Sequence, residues 1–123
     1  MTPLSDEAME KLETAQNIWI ASVRPDGRPH LTPVWFAWAG GKLYVSIDPD
    51  SVKSKNIAHT PRVALALEDG LHPVICEGTA ASLDSPLPEE VLAVFLQKYE
   101  WEITQEKQYH HVVEITPQKW LVW

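Results

Sequence analysis

The stretch that decides the fold runs from residue 18 to residue 47 and reads IWIASVRPDGRPHLTPVWFAWAGGKLYVSI. It contains three runs rich in β-branched and aromatic residues, separated by RPDGR and AGGK, which have the composition of tight turns. The last run, residues 43–47, alternates as a half-buried strand does. The stretch therefore predicts two consecutive antiparallel hairpins.

The rest of the chain predicts further strands with helices only at their margins. Three helices are expected from capping residues and apolar stripes: residues 5–17 after the cap Ser5, a short helix capped by Asp50 or Ser51, and residues 86–99. Further strand-like runs occupy residues 63–68, 74–80, 110–115 and 119–123. Six or seven strands joined mostly by tight turns predict a mostly β protein, an antiparallel barrel that fills residues 1–123 as one domain.

Composition and charge restrict the function. The chain has 123 residues, 45% of them hydrophobic, and a net charge of −7, which opposes binding to nucleic acid. The apolar runs are too short to span a membrane, and the first residues lack the cationic and apolar blocks of a signal peptide. The single cysteine, Cys76, excludes an internal disulfide and a cysteine-rich zinc site. We therefore expect a cytoplasmic protein.

Positive charge is concentrated in one segment. Residues 23–62 hold six Lys or Arg against three acidic residues, whereas the segments on either side are acidic. Within this segment Lys53, Lys55 and Asn56 stand at the start of the predicted short helix, where backbone N–H groups and the helix dipole favour an anion. These side chains are candidates for a phosphate site. The alternative is an ordinary solvated helix start.

A second candidate site follows from Pro33. Proline cannot donate to a strand ladder, so it belongs at a sheet edge, at a bulge or where a ligand replaces the neighbouring strand. His30 and Thr32 lie on one face of the same predicted strand, close to the aromatic residues Trp35 and Phe36. The alternative is an edge strand whose polar side chains face water.

Other reactive residues are less suited to chemistry. His110 and His111 are neighbours, and neighbouring strand residues point to opposite faces, so we expect no metal site there. Cys76 alternates with its neighbours as a core residue does. The sequence has no glycine-rich nucleotide loop and no nucleophile motif, and it identifies no catalytic residue.

The order of short motifs resembles that of the pyridoxamine 5′-phosphate oxidase-like split-barrel flavoproteins, in particular their small FMN- or deazaflavin-dependent branch. The resemblance covers about half the chain and rests on motifs that follow one another in the family's order: WIASVRPDGRPH from residue 19, then TPVWF, KLY, KSKNI, PRV, EDG and, ending at residue 80, EGTA. Each motif alone has low specificity, whereas the ordered series is specific.

This resemblance implies a six-stranded FMN-binding split barrel that forms a homodimer with two cofactor sites at the subunit interface. The implied cofactor is FMN, with the deazaflavin coenzyme F-420 as the alternative, and the implied activity is hydride transfer to or from a small unidentified substrate. A flavin-binding electron carrier or sensor, and a barrel for an apolar ligand, are the rival functions. Carried over position by position, the family's cofactor contacts fall on His30, Thr32, Pro33, Val34, Trp35, Ser46, Lys53, Lys55 and Asn56.

The tryptophan content also favours a homodimer. Six tryptophans are more than the interior of a small barrel readily holds, and exposed aromatic surface usually marks a contact. Trp120 and Trp123 lie in the last predicted strand, so we expect at least one of them to cover the partner or its cofactor. The alternative is that both close their own barrel.

Overall fold

The first hairpin forms as its turn chemistry predicts. In the computed structural model, which describes residues 4–123, strand β1 (Ile18–Val23) pairs antiparallel with strand β2 (Pro29–Val34). The Arg24 N–H donates to the Arg28 carbonyl over 3.0 Å, and Gly27 has a φ of 89° in the turn. Glycine adopts this conformation without the strain that a Cβ would cause.

Five further strands complete one antiparallel sheet. They are β3 (Phe36–Ala39), β4 (Lys42–Ile47), β5 (Arg62–Ala66), β6 (Val74–Ser82) and β7 (His111–Val122). Their order across the sheet is β2-β1-β5-β6-β7-β4-β3. The prediction of a mostly β, antiparallel architecture with six or seven strands is confirmed.

The chain between β2 and β3 closes the barrel. These strands follow each other in sequence with only Trp35 between them, yet they lie at opposite edges of the sheet. Because neighbouring strands are about 4.8 Å apart, one residue cannot span a flat sheet of seven strands. The sheet therefore curls into a half-barrel whose edges meet at Trp35, close to Pro33.

The C-terminal strand differs from the prediction of two separate pieces. Strand β7 is continuous and pairs with β4 on one side and β6 on the other. Glu77 pairs with Lys119 while Gly78 pairs with Pro117, which leaves Gln118 as an extra residue in a β-bulge. The bulge and the proline interrupt the sequence pattern without ending the strand.

The hydrophobic core has two parts, one inside the half-barrel and one between the sheet and the third helix. Strand β4 contributes to both, because Val45 packs in the barrel and Tyr44 packs under the helix. Residues 43–47 are consequently buried on both faces. The prediction of a half-buried strand from the alternation of these residues is therefore wrong.

Three helices flank the sheet close to their predicted positions: α1 (Asp6–Thr14), α2 (Val52–His59) and α3 (Glu89–Tyr99). Ser5 and Ser51 cap the first two, since their hydroxyls accept hydrogen bonds from the N–H groups three residues later. Helix α3 begins three residues later than predicted because a residue before proline, here Leu87 before Pro88, disfavours helical geometry. In residues 4–123 no helix is long and apolar enough to cross a membrane.

Replacing Gly78 by alanine tests the β6–β7 bulge. A Cβ at this position would lie 2.5 Å from the Thr116 carbonyl oxygen, so the backbone must shift. We expect Gly78→Ala to lower the free energy of unfolding by about 2–3 kcal/mol in urea denaturation. Gly70→Ala is the control, because a Cβ there meets nothing within 4 Å. Equal stability of the two variants would contradict the close approach.

Candidate functional site

A tyrosine hydroxyl fixes the break between β2 and β3. The Phe36 N–H donates to the Tyr99 hydroxyl over 3.0 Å. That hydroxyl also lies 2.8 Å from the Gln16 carbonyl oxygen and 3.1 Å from the Phe36 carbonyl oxygen, to either of which it can donate. Burial raises the pKa of Tyr99 to about 12, so the hydroxyl keeps its proton. The last residue of α3 thereby holds the chain where the barrel closes.

The neighbouring residue, Lys98, also contacts Phe36 at the break between β2 and β3. Lys98 Nζ donates to the Phe36 carbonyl oxygen over 3.2 Å and lies 3.5 Å from the centroid of the Phe36 ring. Burial lowers the pKa of Lys98 to about 8. Its contacts with the carbonyl dipole and the aromatic face favour the charged form and oppose this shift.

A cavity of about 650 Å³ opens beside the break. Trp35 forms part of its wall, stacked parallel to Tyr99 with 4.3 Å between the ring centroids, and Trp101 meets Trp35 edge-on at 5.4 Å. The Trp35 side chain is 44% exposed. The cavity is lined by Asn17, Pro33, Val34, Trp35, Ser46, Ile47, Lys53, Tyr99, Trp101, Glu106 and Tyr109.

Five of the nine predicted site residues meet in this cavity: Pro33, Val34, Trp35, Ser46 and Lys53. The Ser46 hydroxyl, at the end of β4, donates to the Tyr109 carbonyl. Burial lowers the pKa of the Lys53 ammonium, and the Asp48 carboxylate opposes that shift. The cavity therefore combines an aromatic wall with one half-buried cation.

The other four predicted residues do not line the cavity. Lys55 is exposed. Asn56 is buried, and its side-chain amide donates to the Ser22 hydroxyl over 3.0 Å, which links α2 to β1. The Thr32 hydroxyl is buried and has no hydrogen-bond partner among the described residues. It lies on the same face of β2 as His30 and Val34, because strand residues two apart share a face.

His30 belongs to a group of basic side chains next to the cavity. Its Nδ1 lies 3.3 Å from a guanidinium nitrogen of Arg24. Arginine is always a donor, so Nδ1 accepts and the neutral ring carries its proton on Nε2. Burial lowers the pKa of His30, and the charges of Arg24 and Lys53 lower it further. The charged side chains of Arg24 and Lys53 thus lie near a neutral His30.

Several lining residues have no sequence signature. Tyr99, Trp101, Glu106 and Tyr109 come from the end of α3 and the connection to β7, more than forty residues after the lining residues of β2, β4 and α2. The only sequence feature that points to them is the high count of aromatic residues. Their position depends on the packing of α3, which no local pattern encodes.

The remaining reactive residues are separate from the cavity. His110 Nδ1 lies 3.1 Å from the Lys107 carbonyl oxygen, whereas His111 Nε2 lies 2.9 Å from the Ser82 hydroxyl. Within residues 4–123 no three potential metal ligands converge. Cys76 is buried in the core as predicted, and burial raises its pKa to about 12.

Comparison with known proteins identifies the family. The family model of pyridoxamine 5′-phosphate oxidase matches residues 4–123, and the chain belongs to this family. The resemblance drawn from the sequence motifs and the split-barrel fold are thereby confirmed. No curated protein sequence is a significant match.

Solved structures with the same fold include proteins named for different functions. The heme storage protein HutZ from Vibrio cholerae matches with a TM-score of 0.81 at 18% identity over 98% of this chain and 95% of that one. An F420 reductase matches with 0.75 at 24% identity over 98% of both chains. A putative pyridoxamine 5′-phosphate oxidase from Listeria innocua matches with 0.74 at 20% identity over 95% of both. At these identities the similarity establishes the fold alone.

Lys98→Met tests the buried charge beneath the barrel closure. A lysine whose pKa in the folded protein is about 8, below its ordinary 10.5, lowers stability at pH 7, and this penalty disappears as the pH rises from 8 to 10.5. We therefore expect wild type to gain on the order of 1–2 kcal/mol relative to Lys98→Met between pH 7 and pH 10 in urea denaturation. The exposed Lys107→Met is the control. A difference that does not change with pH would contradict the lowered pKa.

Proposed function

We propose that this protein is a flavin-binding oxidoreductase that holds FMN in the cavity beside Trp35 and transfers hydride to or from a small substrate. One observation carries the proposal: the cavity, about 650 Å³ in volume, has a flat aromatic wall and is also lined by a half-buried cation, Lys53. A flavin mononucleotide needs a flat apolar slot, a few hydrogen bonds at its polar edge and positive charge for its phosphate.

The aromatic wall suits the ring system. Trp35 is backed by Tyr99, so its ring is held in a fixed plane while nearly half of the side chain stays exposed. Offset stacking on a preorganised ring contributes about 0.5–1.5 kcal/mol beyond the burial of apolar area. Trp35 also belongs to neither strand ladder, which leaves its backbone outside the sheet.

The basic group suits the phosphate. Lys53 lines the cavity, Arg24 adds positive charge near it, and the neutral His30 ring offers an N–H donor. Charge-assisted hydrogen bonds to phosphate are about twice as strong as neutral ones. The Thr32 hydroxyl has no hydrogen-bond partner within residues 4–123 and lies on the same strand face as His30, so it offers a further contact to a polar ligand chain. We keep Lys55 and Asn56 as weaker candidates, because neither lines the cavity.

The protein itself supplies binding, orientation and exclusion of water. A bound flavin supplies the hydride chemistry, and no protein acid or base is required for that step. Pro33, Val34 and Ile47 give the cavity an apolar floor, and the connection between α3 and β7 covers one side of it. Lys53 anchors one end of the ligand, which leaves the ring end to meet the substrate.

The deazaflavin coenzyme and heme are the two alternatives to FMN as the cofactor of this cavity. A deazaflavin coenzyme also carries a phosphate on a ribityl-type chain, and an F420 reductase shares the fold. A heme storage protein shares it as well. None of the described lining residues is His, Cys or Met, the usual iron ligands. Of the two lining tyrosines, Tyr99 has its hydroxyl bonded to backbone, which leaves Tyr109 as the candidate heme ligand. These side chains favour a flavin over heme.

We further propose a cytoplasmic homodimer. The outer face of β2 is apolar and exposed, with Leu31 at 60% exposure between Pro29 and Pro33. Trp120 packs edge-on against Trp38 in its own barrel at 5.7 Å, whereas Trp123 is 71% exposed and free for a partner. A second copy that covers these residues would remove apolar surface from water. The single, buried Cys76 suits a reducing compartment.

Titration with cofactors tests the proposed site. We expect the purified protein to bind FMN, and Lys53→Ala to raise the Kd about 10–100-fold through loss of a charge-assisted contact of about 1.5–3 kcal/mol. Lys119→Ala is the control, since it removes the same charge from an exposed position on β7 that does not line the cavity. We expect it to change the Kd less than about threefold.

The same titration is run with the deazaflavin coenzyme and with heme. Binding of neither FMN nor the deazaflavin would overturn the proposal, and binding of heme alone would assign the cavity to heme. Turnover with a chemical reductant and a panel of quinones then separates an enzyme from an electron carrier. A cofactor that is reduced but passes electrons to no acceptor would favour the carrier.

Analytical ultracentrifugation tests the homodimer. We expect wild type to sediment as a dimer and Leu31→Glu to shift it toward the monomer, because a charge in an apolar interface loses its hydration. Trp123→Ala should weaken the dimer to a smaller extent. Leu71→Glu, at a position 77% exposed in the β5–β6 turn, is the control. A dimer that resists Leu31→Glu would place the interface elsewhere.

A further inference from the structure

One carboxylate organises the connection between α3 and β7. Glu106 accepts hydrogen bonds from the indole N–H of Trp101 over 3.1 Å, the backbone N–H of Gln108 over 3.1 Å and that of Tyr109 over 3.2 Å. Trp101 and Tyr109 both line the cavity. The Glu106 side chain therefore links Trp101 and Tyr109, the two aromatic residues of this connection that line the cavity.

Residues on both sides of Glu106 in this connection contact the barrel or helix α3. The Ser46 hydroxyl donates to the Tyr109 carbonyl, and the Gln108 side-chain amide donates to Asp48 over 3.3 Å. At the other end, Trp101 packs edge-on against Phe95 at 5.8 Å. These contacts fix the two ends to β4 and α3, and Glu106 sets the distance between them.

Glu106 is engaged in a way that suits positioning and not proton transfer. Its three partners are N–H donors, and both carboxylate oxygens are occupied. These hydrogen bonds, chiefly those from the Gln108 and Tyr109 backbone, lower the pKa of Glu106, so the carboxylate stays charged at neutral pH. A carboxylate with these partners holds a loop in one conformation.

We propose that Glu106 is a positioning residue that holds Trp101 and Tyr109 as the wall of the cavity and thereby selects a flat ring as ligand. The inference rests on the proposed function, since the flat ring is that of the flavin-type cofactor. The residue would act on the ring of the ligand through Trp101 and Tyr109, whereas Lys53 supplies a cation for the phosphate. Removing the carboxylate should weaken ring binding and leave the phosphate contribution unchanged.

Two ligands that differ only in the phosphate separate these ends. FMN and riboflavin are titrated into wild type, Glu106→Ala, Glu106→Gln and the control Glu102→Gln, whose exposed side chain in the same connection forms no capping hydrogen bond. We expect Glu106→Ala to raise both Kd values about tenfold or more, which leaves their ratio unchanged. Glu106→Gln keeps one acceptor oxygen, so its effect should be smaller. Glu102→Gln should stay within twofold of wild type.

The ligand-free protein provides an independent readout. The indole N–H resonance of Trp101, and hydrogen exchange across residues 101–110, report whether the wall is held in place. We expect Glu106→Ala to shift that resonance and to accelerate exchange, while far-UV circular dichroism stays that of the folded barrel. Glu106→Gln, a conservative change, should restore part of the protection.

The outcomes distinguish the two proposals. An unchanged Trp101 resonance, or a Kd for riboflavin that Glu106→Ala leaves unaltered, would overturn the positioning role even if FMN binds. An increase in Kd for FMN alone would assign Glu106 to the phosphate end and overturn the inference as well. If wild type binds neither flavin while the Trp101 resonance still depends on Glu106, the selection of a flat ring fails with the proposed function, and only the structural link remains.

Discussion

The hydrogen bonds between the Tyr99 hydroxyl and the backbone of Phe36 are the constraint on which the rest of the structure depends. At this point the chain leaves one edge of the sheet and enters the other, so backbone groups there have no strand partner. The hydroxyl accepts from the Phe36 N–H and can donate to the Phe36 or the Gln16 carbonyl, so these backbone groups are hydrogen-bonded without a strand partner. Because the same ring stacks on Trp35, closing the barrel also builds the cavity wall.

The parts of the fold that follow from neighbouring residues could be predicted from the sequence. The Pro-Asp-Gly and Gly-Gly turns define both hairpins, and Ser5 and Ser51 mark helix starts. The continuous strand β7 could not be predicted, because its bulge depends on a partner some forty residues away at Gly78. Likewise, the alternation of residues 43–47 does not reveal that α3 covers their second face.

The site divides in the same way. Pro33, Trp35, Ser46 and Lys53 lie within one short stretch that carries the family's motifs, and they meet in the cavity. Asn56 has the residue type of a phosphate ligand, yet its side-chain amide donates a hydrogen bond to the Ser22 hydroxyl. This tertiary contact cannot be predicted from a sequence motif. The opposite wall comes from a connection without regular periodicity. Its geometry is set by hydrogen bonds to one carboxylate, which sequence spacing does not encode.

The position of β7 between β6 and β4 determines the order in which the chain can fold. Without this strand the sheet is two separate parts, β2-β1-β5-β6 and β4-β3, which the chain links through Trp35 and through the α2 segment between β4 and β5. Both hairpins form from neighbours in sequence, but the two parts cannot join into one hydrogen-bonded sheet until residues 111–122 have left the ribosome. Until then β4 and β6 each present an unpaired edge, and such edges recruit strands from other molecules. The nascent chain is therefore most exposed to aggregation just before its final strand is added.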